Sequence, residues 1–219
     1  MSRGYIIAII FITFINFIKI IMIEGYKSLP FFKQSEIIHD YTVLFTDKYI
    51  GSKSRTKDQM DQAGRSGKQN IAEGYLEKGY ELRLKFFGFA RASLEELLTD
   101  YQDFLRQRGL KIWNKDSSEA KAVRSLVYKN YKIYKDYNGY KEYKSYNPDL
   151  KDYLPYLSSP ESAANAMICL INQTNQLLDQ KARWTEEKFI KEGGFKENLL
   201  KKRLEYRRQQ EKGLKTPTK

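Results

Sequence analysis

Residues 64–74 read GRSGKQNIAEG, and whether these glycines belong to a loop or to a helix decides the fold. The Gly-x-x-Gly-Lys core suggests a phosphate-cradling loop. Such a loop needs four residues between its first glycine and the Gly-Lys pair, then Ser or Thr, and a strand before it. Here two residues intervene, Gln69 follows, and the preceding pattern is helical. At about 100° per residue, Met60, Ala63, Gly64, Gly67, Ile71 and Gly74 gather on one narrow arc. The glycines are in phase with the apolar stripe, so they mark a helix face that a second helix approaches closely. That approach offsets a helix-propensity cost of ~1 kcal/mol per glycine.

The flanking pattern is also helical. Ile37, Ile38, Tyr41, Leu44, Phe45, Lys48 and Tyr49 share an arc of a first helix over about 31–50, with His39 opposite and expected to face solvent. Residues 51–55 (GSKSR) form a turn. Thr56-Lys57-Asp58-Gln59 has capping-box spacing for the second helix, about 56–77. A third helix spans about 80–108. Its wide apolar arc runs from Phe86 and Phe87 through Ala90, Leu94, Leu97, Leu98, Tyr101 and Phe104 to Leu105, with Phe89 at the edge. An arc that wide implies contacts on two sides, the core and a neighbouring subunit being the candidates. Gly109 ends it. Residues 110–118 (LKIWNKDSS) are a connector anchored by Trp113, and Ser118 caps a fourth segment over about 118–128.

From Tyr128 to Tyr146 tyrosine recurs every third residue, seven times, usually followed by lysine. A period of three fits neither an amphipathic helix nor a two-faced strand, so residues 128–157 read as a low-complexity spacer. The alternative is stacking of single-stranded bases on tyrosine with lysine on phosphate. Structure resumes at SSPES, where Ser159 caps and Pro160 opens a long helix to about residue 192. Ala163, Met167, Leu170, Thr174 and Leu177 form its seam, flanked by Ala166, Ile171 and Leu178. Cys169 lies off it as a free thiol. Gly193 and Gly194 break this helix. Residues 193–219 form a basic helix and tail, a solvated end or a polyanion contact.

Residues 1–25 form an apolar leader whose run 5–23 is interrupted only by Thr13, Asn16 and Lys19. It admits three origins: translated upstream sequence with Met22 as the start, a membrane anchor, or a cleaved signal peptide. The first implies a cytoplasmic chain, the second an inner-membrane tether.

The chain carries 39 Lys and Arg against 27 Asp and Glu, a formal +12. A field of that sign favours nucleic acid, an anionic membrane or an acidic protein. One cysteine excludes an intrachain disulfide, and one histidine leaves little for acid–base catalysis. No metal-ligand cluster, nucleotide loop or Ser/His/Asp set is visible, so the expectation is no enzyme, metal, cofactor or small-molecule substrate. The candidate nucleic-acid contacts are Lys201, Lys202, Arg203, Arg207 and Arg208 in the tail, with Arg65 and Lys68 on the second helix.

RSGKQNIAEG (65–74) paired with FARASLEELLTDYQDFLRQRGL (89–110) resembles a bacterial four-helix-bundle family. That family includes proteins encoded in intervening sequences of large-subunit ribosomal RNA genes and accessory proteins of diversity-generating retroelements. AANAMICLINQTNQLLDQ (163–180) resembles the branch with a C-terminal suffix extension. The resemblance covers residues 31–108 and 158–200. It implies an all-α, antiparallel up-and-down four-helix bundle assembled as a homo-oligomeric ring, a pentamer. As in the retroelement branch, the basic surface of such a ring would engage RNA or DNA and a reverse transcriptase. The matching motif residues are Asn70, Glu73, Gly74, Arg91, Ser93 and Glu96. The role expected of them is to fix helix pairing or subunit register. A protein-interaction scaffold without a nucleic-acid role, and a membrane-tethered helical module, are the alternatives.

Overall fold

The computed structural model describes residues 25–127, 132–135, 142–145 and 149–214. The leader run 5–23 and most of the tyrosine repeat lie outside them. The chain forms helices α1 (Pro30–Tyr49), α2 (Arg55–Leu76), α3 (Tyr80–Gln107), α4 (Ser118–Leu126) and α5 (Leu150–Tyr153). A 3₁₀ turn (Leu154–Ser158) leads into α6 (Pro160–Glu192), and α7 (Phe195–Leu214) follows. Helices α1–α6 pack together. Helix α1 lies on α2 and α6, helix α3 lies on the same two, and α4 rests on α6. The wide apolar arc of α3 is thus occupied within one chain, by α2 and α6.

The glycine stripe works by close approach. A Cβ on Gly67 would lie 2.9 Å from Leu94 Cδ2, and one on Gly74 would lie 2.9 Å from the Phe87 ring. Two buried clusters result. The larger includes Phe45, Met60, Leu105 and Ala163; the smaller contains Phe31, Phe32, Ile71, Phe87, Ala90 and Leu178. Where the clusters meet, the buried Thr174 hydroxyl donates to Gln34 Oε1 at 2.8 Å. Deeper in the larger cluster, Thr42 Oγ1 and Tyr101 OH share a hydrogen bond of 2.9 Å. Each bond joins α1 to a different neighbour, so these buried hydroxyls and the amide fix rotation of the helices at little desolvation cost.

Helix ends follow their local chemistry, with some departures from expectation. Pro160 opens α6, with the Ser159 hydroxyl accepting from Ser162 N–H at 3.1 Å. Gly109 and Gly193, at φ +64° and +77°, terminate α3 and α6 in conformations that favour glycine. The capping box of α2 does not form. The helix starts at Arg55, and Lys57 instead reaches Asp47 (2.7 Å) and Asp61 (2.9 Å), tying α2 to the end of α1. On α4 the cap is Ser117, one residue before the expected Ser118, accepting from Ala120 N–H at 3.2 Å.

The spacer is shorter than its composition suggested. Residues 149–157 fold back onto the body. Tyr153 is fully buried, and Lys48 Nζ and Tyr49 OH donate to the Leu157 carbonyl at 2.9 and 2.6 Å. Within the repeat, strand Lys132–Lys135 pairs antiparallel with Glu142–Ser145, Tyr134 opposite Tyr143. Over four residues the mismatch between a period of three and a period of two does not accumulate, so a short hairpin tolerates it.

No helix among the described residues is long and apolar enough to cross a membrane.

Candidate nucleic-acid interface

Helix α7 leaves the packed body at Gly193–Gly194. The Gly194 N–H donates to Glu197 Oε2 at 3.1 Å, and Asn198 Nδ2 donates back to the Glu192 carbonyl at 2.9 Å, so the corner is hydrogen-bonded on both sides. Beyond it every α7 residue through Glu211 is exposed except the half-buried Asn198. Residues 195–219 carry nine basic against three acidic side chains, which leaves +6, half of the chain's +12.

Lys201, Lys202, Arg203, Arg207 and Arg208 are all exposed, and among the described residues none lies within ion-pair distance of a carboxylate. They do not share one face. Lys201 and Arg208 fall on one side of the helix, Arg203 and Arg207 roughly 130° away, with Lys202 elsewhere. The helix is a cationic cylinder with no single basic stripe. Such a surface suits a polyanion met through its charge, not one read base by base.

The second candidate pair behaves unevenly. Arg65 is exposed on α2, whereas Lys68 is half-buried with its Nζ 3.2 Å from His39 Nδ1. His39 was expected in solvent but lies under α2, because the missing side chain of Gly64 lets that helix come close: a Cβ there would meet His39 Cα at 3.3 Å. Burial first, and then the Lys68 ammonium, hold the imidazole below its ordinary pKa, against the pull of Asp40 at 3.3 Å. With its Nζ in hydrogen-bond reach of that ring, Lys68 is engaged within the chain.

The motif residues separate into three kinds. Gly74 is the close-approach point against Phe87. Arg91 ties α3 to α6, bonding Glu95 on its own helix and Asp179 across the interface at 3.4 Å. Asn175 of α6 reaches the same Glu95 at 3.5 Å. Ser93 and Glu96 line an open groove between α2 and α3. Ser93 is half-buried at the edge of the core arc and not within it, since Leu94 takes the inward position. Asn70 is half-buried and Glu73 exposed, and neither side chain forms a hydrogen bond or ion pair among the described residues.

Buried Asn165 carries a role that its residue type did not announce. It accepts from Trp113 N–H at 2.8 Å and donates to the carbonyls of Lys111 (2.8 Å) and Glu161 (2.9 Å), clamping the α3–α4 connector onto α6. Cys169 is half-buried and free, its thiol pushed up by burial. Among the described residues no His, Cys, Asp and Glu side chains are grouped to hold a metal. Comparison with family models, with curated proteins and with solved structures returned no match.

Proposed function

We propose that the chain is a non-enzymatic, nucleic-acid-binding helical module that engages RNA or DNA through basic surfaces, α7 foremost. The observation that carries this reading is the exposure of α7, a helix holding unpaired cations on several sides and contributing little to the core. A free cationic cylinder releases counterions from a phosphate backbone as it binds, which drives association and makes it salt-dependent.

The architecture proposed for α1, α2, α3 and α6 is the antiparallel up-and-down four-helix bundle. In its favour, the smaller cluster joins the start of α1, the end of α2, the start of α3 and the later part of α6. The larger cluster joins their opposite ends. The resemblance of residues 65–74 and 89–110 to the intervening-sequence and retroelement accessory family favours a homo-oligomer, a pentameric ring. It also names a reverse transcriptase as the protein partner. Leu82 and Phe89, seven residues apart on α3 and both about half exposed, offer an apolar face for self-association.

The test is fluorescence anisotropy of the full chain with structured RNA and duplex DNA, titrated from low to physiological salt. Binding that persists at physiological salt, with a steep negative slope, supports the module. Binding of neither ligand there rejects it.

That second result favours a protein-interaction scaffold. One observation points to it: Leu199, Leu200 and Leu204 are exposed on α7, and Leu76, Leu82 and Phe195 edge a cleft of ≈ 590 Å³ beside it.

A further inference from the structure

Where α2 turns into α3, beside α6, a second basic feature appears that is not on the tail. Arg83 of α3, Lys181 and Trp184 of α6, Tyr75 of α2 and Lys78 of the α2–α3 corner line one cleft of ≈ 400 Å³. That size lies in the range of small-ligand sites. Its only carboxylate residue is Glu77, and it is the Glu77 main-chain carbonyl that accepts from Arg83 Nη2, at 2.6 Å. The guanidinium is therefore held in place without being neutralised. Its Nε is buried and has no hydrogen-bond partner among the described residues.

Lys181 faces the same way. Its ammonium sits 3.7 Å from the centroid of the Trp184 ring, with no carboxylate in ion-pair reach among the described residues. Burial first, and then the Arg83 charge, hold it below the ordinary lysine range. Lys188, one turn beyond Trp184, makes the contrast: its ammonium is paired with Glu192 at 2.7 Å. Two neighbouring cations left without a counter-charge cost free energy that a bound anion recovers. Trp184 remains 45% exposed, so part of its indole is open to a planar group. Cations beside an exposed aromatic ring form the arrangement that holds a phosphate and stacks its base in single-strand binders.

We propose that this cleft seats one nucleotide of a single-stranded nucleic acid, its phosphate between Arg83 and Lys181 and its base against Trp184. The proposal rests on the reading that the chain binds nucleic acid, and it adds a second contact, on the body of the protein, that prefers single strands.

Trp113 and Trp184 are the only tryptophans, so Trp113→Phe in the full chain leaves Trp184 as sole reporter. The probe is a 12-nucleotide oligothymidylate. A 12-base-pair duplex and inorganic phosphate are the comparison arms, and anisotropy of labelled oligonucleotide is read on the same samples. We expect the single strand to quench Trp184, the duplex and free phosphate to quench it less, and Lys181→Gln to weaken single-strand affinity by about threefold to tenfold. Trp184→Leu, an exposed substitution, should cost about tenfold. Because Arg83 also holds the Glu77 carbonyl, Arg83→Gln is interpreted only alongside its melting curve, and Lys181→Gln carries the test. Anisotropy binding without Trp184 quenching, or quenching that Lys181→Gln leaves unchanged, overturns this site and leaves the wider reading standing. Equal quenching by duplex or by phosphate alone also overturns it. No binding in either channel removes both.

Discussion

Gly67 of α2 faces Leu94 of α3 at a close approach of the two helices, where a methyl group on Gly67 would lie 2.9 Å from Leu94 Cδ2 and 3.0 Å from Cγ. Leu94 is fully buried, so it can give way only by displacing the close-packed side chains around it. Gly67→Ala therefore sets an overpacking cost of about 1–3 kcal/mol against a helix-propensity gain of about 1 kcal/mol. We expect a net loss, and a larger one for Gly67→Leu. Gly88, in the middle of α3, has nothing within 4 Å of the same construction, and Gly88→Ala should stabilise by up to about 1 kcal/mol. Urea denaturation of the two alanine variants, read side by side, checks the opposite signs.

Asn165→Ala removes the partners of the Trp113 N–H and the Lys111 carbonyl in one step. Both groups are part-buried and regain some water, so losing the two bonds should cost about 1–2 kcal/mol. The α3–α4 connector should loosen with it. Thermal unfolding gives the first quantity, and the emission maximum of Trp113 in a Trp184→Leu background gives the second, a shift to longer wavelength.

Asp100 supplies a pH dependence. Burial, and then the neighbouring carboxylates Glu96 and Asp103, push its carboxyl up to about 6 from an ordinary value near 3.8. Between those two values the folded chain binds more protons than the unfolded one. The contribution of this group to stability therefore falls as pH rises from about 4 to about 6, and stays low above that. Asp100→Asn should recover about 1 kcal/mol at pH 7, a figure that allows for solvent screening of a half-exposed group. It should gain nothing at pH 4. An equal gain at both values would contradict the assignment.

The parts of the fold that were legible in the sequence are those with a strong period. The stripe Met60, Ala63, Gly64, Gly67, Ile71, Gly74 is buried throughout, as its phase required, and Ser159–Pro160 and Gly109 mark ends that backbone chemistry dictates. What was missed depends on neighbours that no local pattern contains. Thr56 and Gln59 have capping-box spacing, but α2 already begins at Arg55, and Lys57 between them pairs with Asp47 on another helix. His39 lies off its own helix's apolar arc, yet Gly64 on α2 lets a neighbour cover it. Gln34 and Asn165 are polar residue types, and only their partners, Thr174 on α6 and the α3–α4 connector, reveal why they are buried. Charge counting located the tail but not the cleft at Arg83 and Lys181, whose members lie about a hundred residues apart.

The measurement closest to the central claim is the salt dependence of nucleic-acid affinity for the wild-type chain and for a variant with Lys201, Lys202, Arg203, Arg207 and Arg208 all changed to Gln. Because α7 adds little to the packed body, the variant should melt within about 1 °C of wild type, surface changes being nearly neutral. Its affinity should fall at every salt concentration, and the slope of log K against log salt should become shallower by about 2–4, as fewer phosphates are neutralised. An unchanged slope and affinity, at unchanged stability, would contradict the account and remove α7 from the interface.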